Sequence, residues 1–250
     1  MPREARRHGE SGIYHVMLRG INLQRIFEDE EDNLKFLEVL QDCQKLSGFG
    51  LLAYCLMGNH VHLVIKEGIE PLEQVFKRIG SRYVYWYNWK YGRSGHLFQD
   101  RYKSEPIDDE TYLFTVIRYL HQNPVQAGIC KNMEDYPYSS YMQYLKLDKE
   151  NFIDAAYIFN LIDKESFLQF HLEESDSKVM DIEERKTRLT DEQARKIIWK
   201  YAHCKNVAEF QALDLVVRDK NIKKLKEQGL SIRQISRLTG ISFGVIRAVG

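Results

Sequence analysis

Apolar positions along the first 130 residues follow two alternating periods. Ile13–Leu18 predicts a strand, stopped by the turn-like Arg19-Gly20-Ile21-Asn22. An acidic opening from Glu28 to Asp32 leads into Leu34, Leu37, Leu40 and Cys43, spaced for a helix that Ser47-Gly48 closes. Leu51–Met57 and Val61–Lys66 are strand-like runs joined by Gly58-Asn59, a hairpin turn. Pro71 opens a long helix to about Trp89, with Leu72, Val75, Phe76 and Ile79 as its buried stripe. His96–Ile107 predicts a fourth strand. Asp108 caps a third helix, striped by Leu113, Val116, Ile117 and Leu120 and ended by Asn123-Pro124. The order strand, helix, strand, strand, helix, strand, then a further helix, is the split βαβ arrangement. It predicts an α+β fold: a ferredoxin-like antiparallel sheet with helices on one face.

The pattern changes after about residue 145. Residues 151–185 hold nine Asp/Glu against three Lys/Arg, so 146–189 reads as an acidic helical connector. Residues 190–250 return to helix, and 219–250 hold seven Lys/Arg against two Asp/Glu. Ser231–Ser242 reads as a short helix, a turn at Gly240 and the N-cap of another helix. Ile232, Ile235, Leu238, Ile241 and Val245 would supply the contacts between the two. This is a helix-turn-helix pattern whose second helix would enter a major groove, and the basic surroundings favour duplex DNA over a plain helical hairpin. Three segments follow: 1–145, 146–189 and 190–250.

Composition narrows the class. With 44% hydrophobic and 29% charged residues the chain has enough apolar matter for a core and is no disordered tail. Lys+Arg and Asp+Glu both total 36, so net charge carries no hint of a partner. The four cysteines, Cys43, Cys55, Cys130 and Cys204, lack metal-finger or redox spacing and fit a reducing compartment. The polar, basic start and the lack of any apolar run near the ~20 residues of a membrane span predict a cytoplasmic protein without a membrane partner.

Candidate chemistry is concentrated in three places. In Gly58-Asn59-His60-Val61-His62-Leu63, residues two apart on a strand share a face, so His60 and His62 form half a metal site or two hydrogen-bonded core residues. On the third helix Tyr119 and Asn123 are four apart and stack on one side. Together these suggest metal-assisted phosphoryl transfer with Tyr119 as nucleophile and Asn123 as third ligand. Tyr112 lies one heptad earlier on nearly the same face, and spacing alone does not choose between the tyrosines. Between Lys77 and Lys103 seven Lys/Arg, among them Lys77, Arg78, Arg82 and Arg101, are interleaved with eight aromatics, including Tyr83, Tyr85, Trp86 and Trp89. Basic groups neutralise phosphates and exposed rings stack on unpaired bases, which suits single-stranded or hairpin DNA. Arg3, Arg6 and Arg7 add a basic arm, Arg19 a further cation near the first turn, and Arg233, Arg237 and Arg247 mark the C-terminal segment.

Over residues 3–145 the chain resembles the HUH-class single-tyrosine transposases of insertion sequences, and more closely their REP-associated tyrosine transposase branch. The resemblance rests on four blocks in order: Tyr14-His15-Val16-Met17-Leu18-Arg19-Gly20-Ile21-Asn22, Met57-Gly58-Asn59-His60-Val61-His62-Leu63-Val64, Gly95-His96-Leu97-Phe98-Gln99-Asp100-Arg101-Tyr102, and Tyr119-Leu120-His121-Gln122-Asn123-Pro124-Val125-Gln126-Ala127-Gly128. It implies that His60 and His62 are the metal pair, Tyr119 the nucleophile and Asn123 the polar residue completing the site. It also implies Mg2+ or Mn2+ as cofactor, and hairpin-bearing single-stranded DNA as substrate, cut and rejoined through a 5′-phosphotyrosine by a monomer or homodimer. A catalytically idle DNA-binding regulator working through the C-terminal helices is the alternative. A zinc hydrolase built on His60 and His62 lacks an evident third ligand.

Overall fold

The computed structural model describes residues 9–146, 152–173, 179–180, 191–204 and 206–249. Arg3, Arg6 and Arg7, the basic arm, lie outside the described residues. The chain divides into two compact units, Met1–Asp181 and Ile182–Gly250.

In the first unit β1 (Ile13–Arg19), β2 (Gly50–Met57), β3 (His60–Lys66) and β4 (Lys103–Pro106) form one antiparallel sheet in the order β2-β3-β1-β4. α1 (Glu30–Ser47) links β1 to β2 and α2 (Leu72–Lys90) links β3 to β4, which is the ferredoxin-like connectivity. Asp29 and Asp32 close a reciprocal capping box at the start of α1, whose first-turn acids complement the helix dipole. Gly48, at φ 66°, ends it in a left-handed cap. The buried stripe of α1 is Phe36, Val39, Leu40 and Cys43, and Leu34 is exposed. The expected stripe thus misplaced Leu34 and left out Phe36 and Val39.

Every residue from Leu51 to Met57 and from His60 to Ile65 is buried, so both faces of β2 and β3 are covered. α3 (Glu110–Gln126) covers the face that carries the histidines. Its N-cap is Asp109, not Asp108, and Pro124 lies inside its last turn. Proline removes one N–H, but the bond from Ala127 N–H to Asn123 O carries the turn onward.

The fourth strand is shorter than expected. Met17 faces Lys103 and Gly20 faces Phe98, so three steps along β1 match five along its partner. The excess residues interrupt the ladder, and only Lys103–Pro106 remain in regular pairing.

The acidic connector is corrected as well. α5 (Ala155–Phe159) and α6 (Lys164–Leu172), which follow α4 (Tyr141–Leu145), send Ile158 and Phe167 into the same core as the sheet. Glu165 and Glu173 stay exposed. Net charge recorded the solvent face of these helices and concealed the buried one.

The second unit is helical: α7 (Asp191–Ala202), α8 (Val207–Gln211), α9 (Leu215–Glu227), α10 (Ile232–Thr239) and α11 (Phe243–Ala248). Ile198, Phe210, Ile222, Leu225, Ile235, Leu238 and Ile246 form its core. Gly240, at φ 71°, ends α10, and the Ser242 hydroxyl accepts from Val245 N–H to start α11. The contact expected of Val245 is made by Ile246, because capping by Ser242 sets the phase of this short helix and turns Val245 outward. No helix among the described residues is long and apolar enough to cross a membrane.

Candidate active site

The site begins with a strand pairing. Arg19 lies opposite His60 and Met17 opposite His62 across β1–β3. On β2, Met57 and Cys55 face the same two histidines. Directly paired residues share a face, so His60 and His62 point to one side with Arg19 beside them. Their rings are 4.9 Å apart and perpendicular.

Each imidazole is held through its Nδ1. The Asn59 Oδ1 lies 2.6 Å from His60 Nδ1. His15 Nε2 lies 2.9 Å from His62 Nδ1, with the two rings stacked 5.1 Å apart. The turn carrying Asn59 is fixed from behind: Gly20 N–H donates to Asn59 O, and Ile26 and Phe27 N–H donate to Gly58 O. Gly20 permits this fold-back, since a Cβ there would stand 2.2 Å from Gln24 O.

α3 brings Tyr119 over the pair, its ring 5.6 Å from that of His62. Asn123 Nδ2 donates to the Tyr119 hydroxyl at 2.9 Å, joining phenol and amide one turn apart. Tyr119 is 9% exposed and Asn123 8%, enough to leave an edge toward solvent. Tyr112 is placed elsewhere. Its hydroxyl donates to Glu105 at 2.9 Å, and burial together with that carboxylate holds its pKa well above the ordinary phenol value. The structure therefore gathers His60, His62, Tyr119 and Asn123, and leaves Tyr112 outside the group.

α3 is held by the segment beyond residue 145. Arg118 donates to Phe170 O and pairs with Glu173, and Gln122 donates to His171 O. His121, on the buried side, contacts His171 at 2.9 Å and Ser140 Oγ at 2.8 Å. Desolvation keeps both histidines easier to deprotonate than usual, His171 at about 4.

The cations expected to meet DNA divide by partner. Lys77 and Arg82 are exposed on α2, as are Tyr85 and Trp89, which are 78% and 73% exposed; Arg82, Tyr85 and Trp89 recur at i, i+3 and i+7 and share a face. Arg78 instead makes a bidentate pair with Glu70 and bonds Ser47, which occupies its guanidinium. Arg101 stands 3.8 Å from Glu73. Of the eight aromatics in this stretch, Tyr83, Tyr87 and Tyr102 are buried and Trp86 is half-buried. In the second unit Arg233 and Arg247 are exposed, and Arg237 pairs with Asp191. Asn59 and His15 escaped the sequence reading because their role depends on contacts with histidine nitrogens that spacing does not show.

The histidine pair suits a divalent ion. Two imidazoles anchored at Nδ1 direct coordination to Nε2, and an asparagine amide oxygen can complete a three-residue set open to water and phosphate. Among the described residues no group of three or more His, Cys, Asp or Glu forms a metal cage.

Residues 10–123 match the family model described as "Transposase IS200 like". A Haemophilus influenzae protein named as a REP-associated tyrosine transposase is 28% identical over 112 residues, covering 40% of this chain. The chain spans 63% of that relative's length. A solved structure of a REP-associated tyrosine transposase bound to a REP hairpin superposes with a TM-score of 0.51 at 16% identity, covering 58% of this chain and 86% of the other. That likeness concerns the fold, and the family match spans the strands and the helix that carry the site. Over residues 10–123, the part of the chain that carries the site, this protein is thus similar to IS200-like transposases.

Proposed function

We propose that the chain is a metal-dependent tyrosine transposase that cuts and rejoins single-stranded DNA beside hairpins. The observation that carries this reading is the convergence of Tyr119, Asn123, His60 and His62 on one face of the sheet. A phenol with a pKa of about 10 is a weak nucleophile at neutral pH, so the site must assist it. A divalent ion on His60, His62 and Asn123 would supply charge to draw electron density from the scissile phosphate and steady the leaving 3′-oxygen. Asn123 fixes the direction of the Tyr119 hydroxyl, and Arg19 offers a cation beside His60 for a non-bridging oxygen. The P–O3′ bond breaks as the bond from Tyr119 Oη to phosphorus forms, the phenolic proton passing to the departing oxygen or to water. The link retains the phosphodiester energy, and a second 3′-hydroxyl reverses the step.

A hairpin such as the one bound by the solved relative fits the cationic and aromatic face of α2, where Arg82, Tyr85 and Trp89 are open to solvent, with the exposed Lys77 nearby on the same helix. The exposed Arg233 and Arg247 of the second unit would contact duplex DNA. The test is incubation with labelled single-stranded DNA from the flanks of the gene and Mn2+, followed by denaturing gels. A covalent adduct is expected in the parent and absent in Tyr119→Phe and in the double variant His60→Ala/His62→Ala. Parental cleavage by either variant overturns the reading.

A further inference from the structure

We infer that His15 is a positioning residue that holds His62 in the form able to ligate through Nε2; the inference rests on the metal reading of the His60–His62 pair. His15 belongs to β1, is fully buried and pairs with Val64 on β3 and with Glu105 on β4. A buried imidazole in such a place is costly unless its nitrogens are engaged, and its Nε2 is engaged by the Nδ1 of His62 at 2.9 Å. The rings stack at 5.1 Å with 30° between planes, so orientation as well as distance is set.

The proton count gives this contact its meaning. A neutral imidazole carries one proton, and a ligating nitrogen must present a lone pair. For His62 to ligate at Nε2, its proton must sit on Nδ1 and find an acceptor. His15 Nε2 is that acceptor, which places the proton of His15 on its own Nδ1. His60 has the same requirement and meets it differently, through the Asn59 Oδ1 at 2.6 Å. The two histidines therefore take their acceptors from different elements: His60 from the hairpin turn just before it, His62 from the neighbouring strand. Register is what supplies the second. Met17 pairs with His62 and His15 with Val64, so the His15 ring reaches His62 along the diagonal of the β1–β3 ladder. A merely apolar residue at position 15 would fill the same space and leave the His62 tautomer unspecified.

The experiment compares two near-isosteric variants in the full chain, His15→Met and His15→Gln. Methionine keeps bulk and removes the acceptor, whereas glutamine offers its Oε1 to the His62 Nδ1–H. Titration with Mn2+ alone, followed by calorimetry or by loss of the free-ion EPR signal, is expected to show His15→Met binding about 10- to 100-fold more weakly than the parent. His15→Gln is expected to recover most of that loss. Unchanged Mn2+ affinity in folded His15→Met overturns the inference, as does equal weakening in both variants. In the 15N-histidine spectrum of the unsubstituted chain, His62 is expected to be protonated at Nδ1, and protonation at Nε2 overturns the inference even if neither variant folds. Mn2+ binding that is undiminished in His60→Ala/His62→Ala defeats the metal reading instead, while the spectrum still reports on His15.

Discussion

Tyr112 and Tyr119 differ by partner, not by helical position. The first donates to Glu105, the second sits against His62 with Asn123 on its hydroxyl. Tyr112→Phe is therefore expected to leave the covalent adduct within a few-fold of the parent level, and loss of the adduct in that variant would transfer the nucleophile's role. A second residue-level consequence concerns pH. Burial lowers His171 from its ordinary value to about 4, so the folded chain keeps it neutral where the unfolded chain protonates it. Its contribution is fully present above pH ~6.5 and is lost as pH falls toward 4, at most about 3 kcal/mol for a shift of this size. Thermal unfolding midpoints should fall across that window, and should fall less steeply in His171→Leu. Equal slopes in both proteins would count against the assignment.

At the scale of elements, α6 is part of the support for the nucleophile's helix. Phe167 is fully buried between Tyr144 and His171, with rings 4.7 Å and 4.2 Å away. Phe167→Ala should destabilise the first unit by about 3–5 kcal/mol, the range for deleting a buried aromatic side chain. Denaturant unfolding measures it, and a loss under ~1 kcal/mol would return 152–173 to the status of a tether. The sequence showed the long helices and the hairpin because their periods persist over many residues and their caps are local. It did not show the break after Phe98, because an interrupted ladder and a continuous one have the same apolar alternation. Nor did it show α6 as core, because acids on the outer face dominate a count that ignores direction.

For the whole molecule, the two units each have their own core, with the boundary between Asp181 and Ile182. Deletion after residue 185 should thus leave the first unit folded and able to form the Tyr119 adduct on a hairpin oligonucleotide. Residues 219–250, with seven Lys/Arg against two Asp/Glu, are expected to carry the duplex contacts. The truncated chain should bind duplex DNA more weakly and with a flatter dependence on salt, since fewer phosphate contacts release fewer counterions. Filter binding or anisotropy across a salt series measures both, and an unchanged slope would assign those helices another role. Arg233→Ala and Arg247→Ala should weaken duplex binding more than Arg237→Ala, whose side chain is already paired with Asp191.

By itself the sequence determined the ferredoxin-like order of elements, the shared face of His60 and His62, and the one-turn spacing of Tyr119 and Asn123. These follow from periods of 2 and 3.6 residues, which are properties of the local backbone. Tertiary structure alone decided which tyrosine meets the histidines, which arginines remain open, and that His15 and Asn59 hold the imidazoles. Those outcomes depend on strand register and on side chains distant in the chain, 47 residues apart for His15 and His62, and no local period encodes such a meeting.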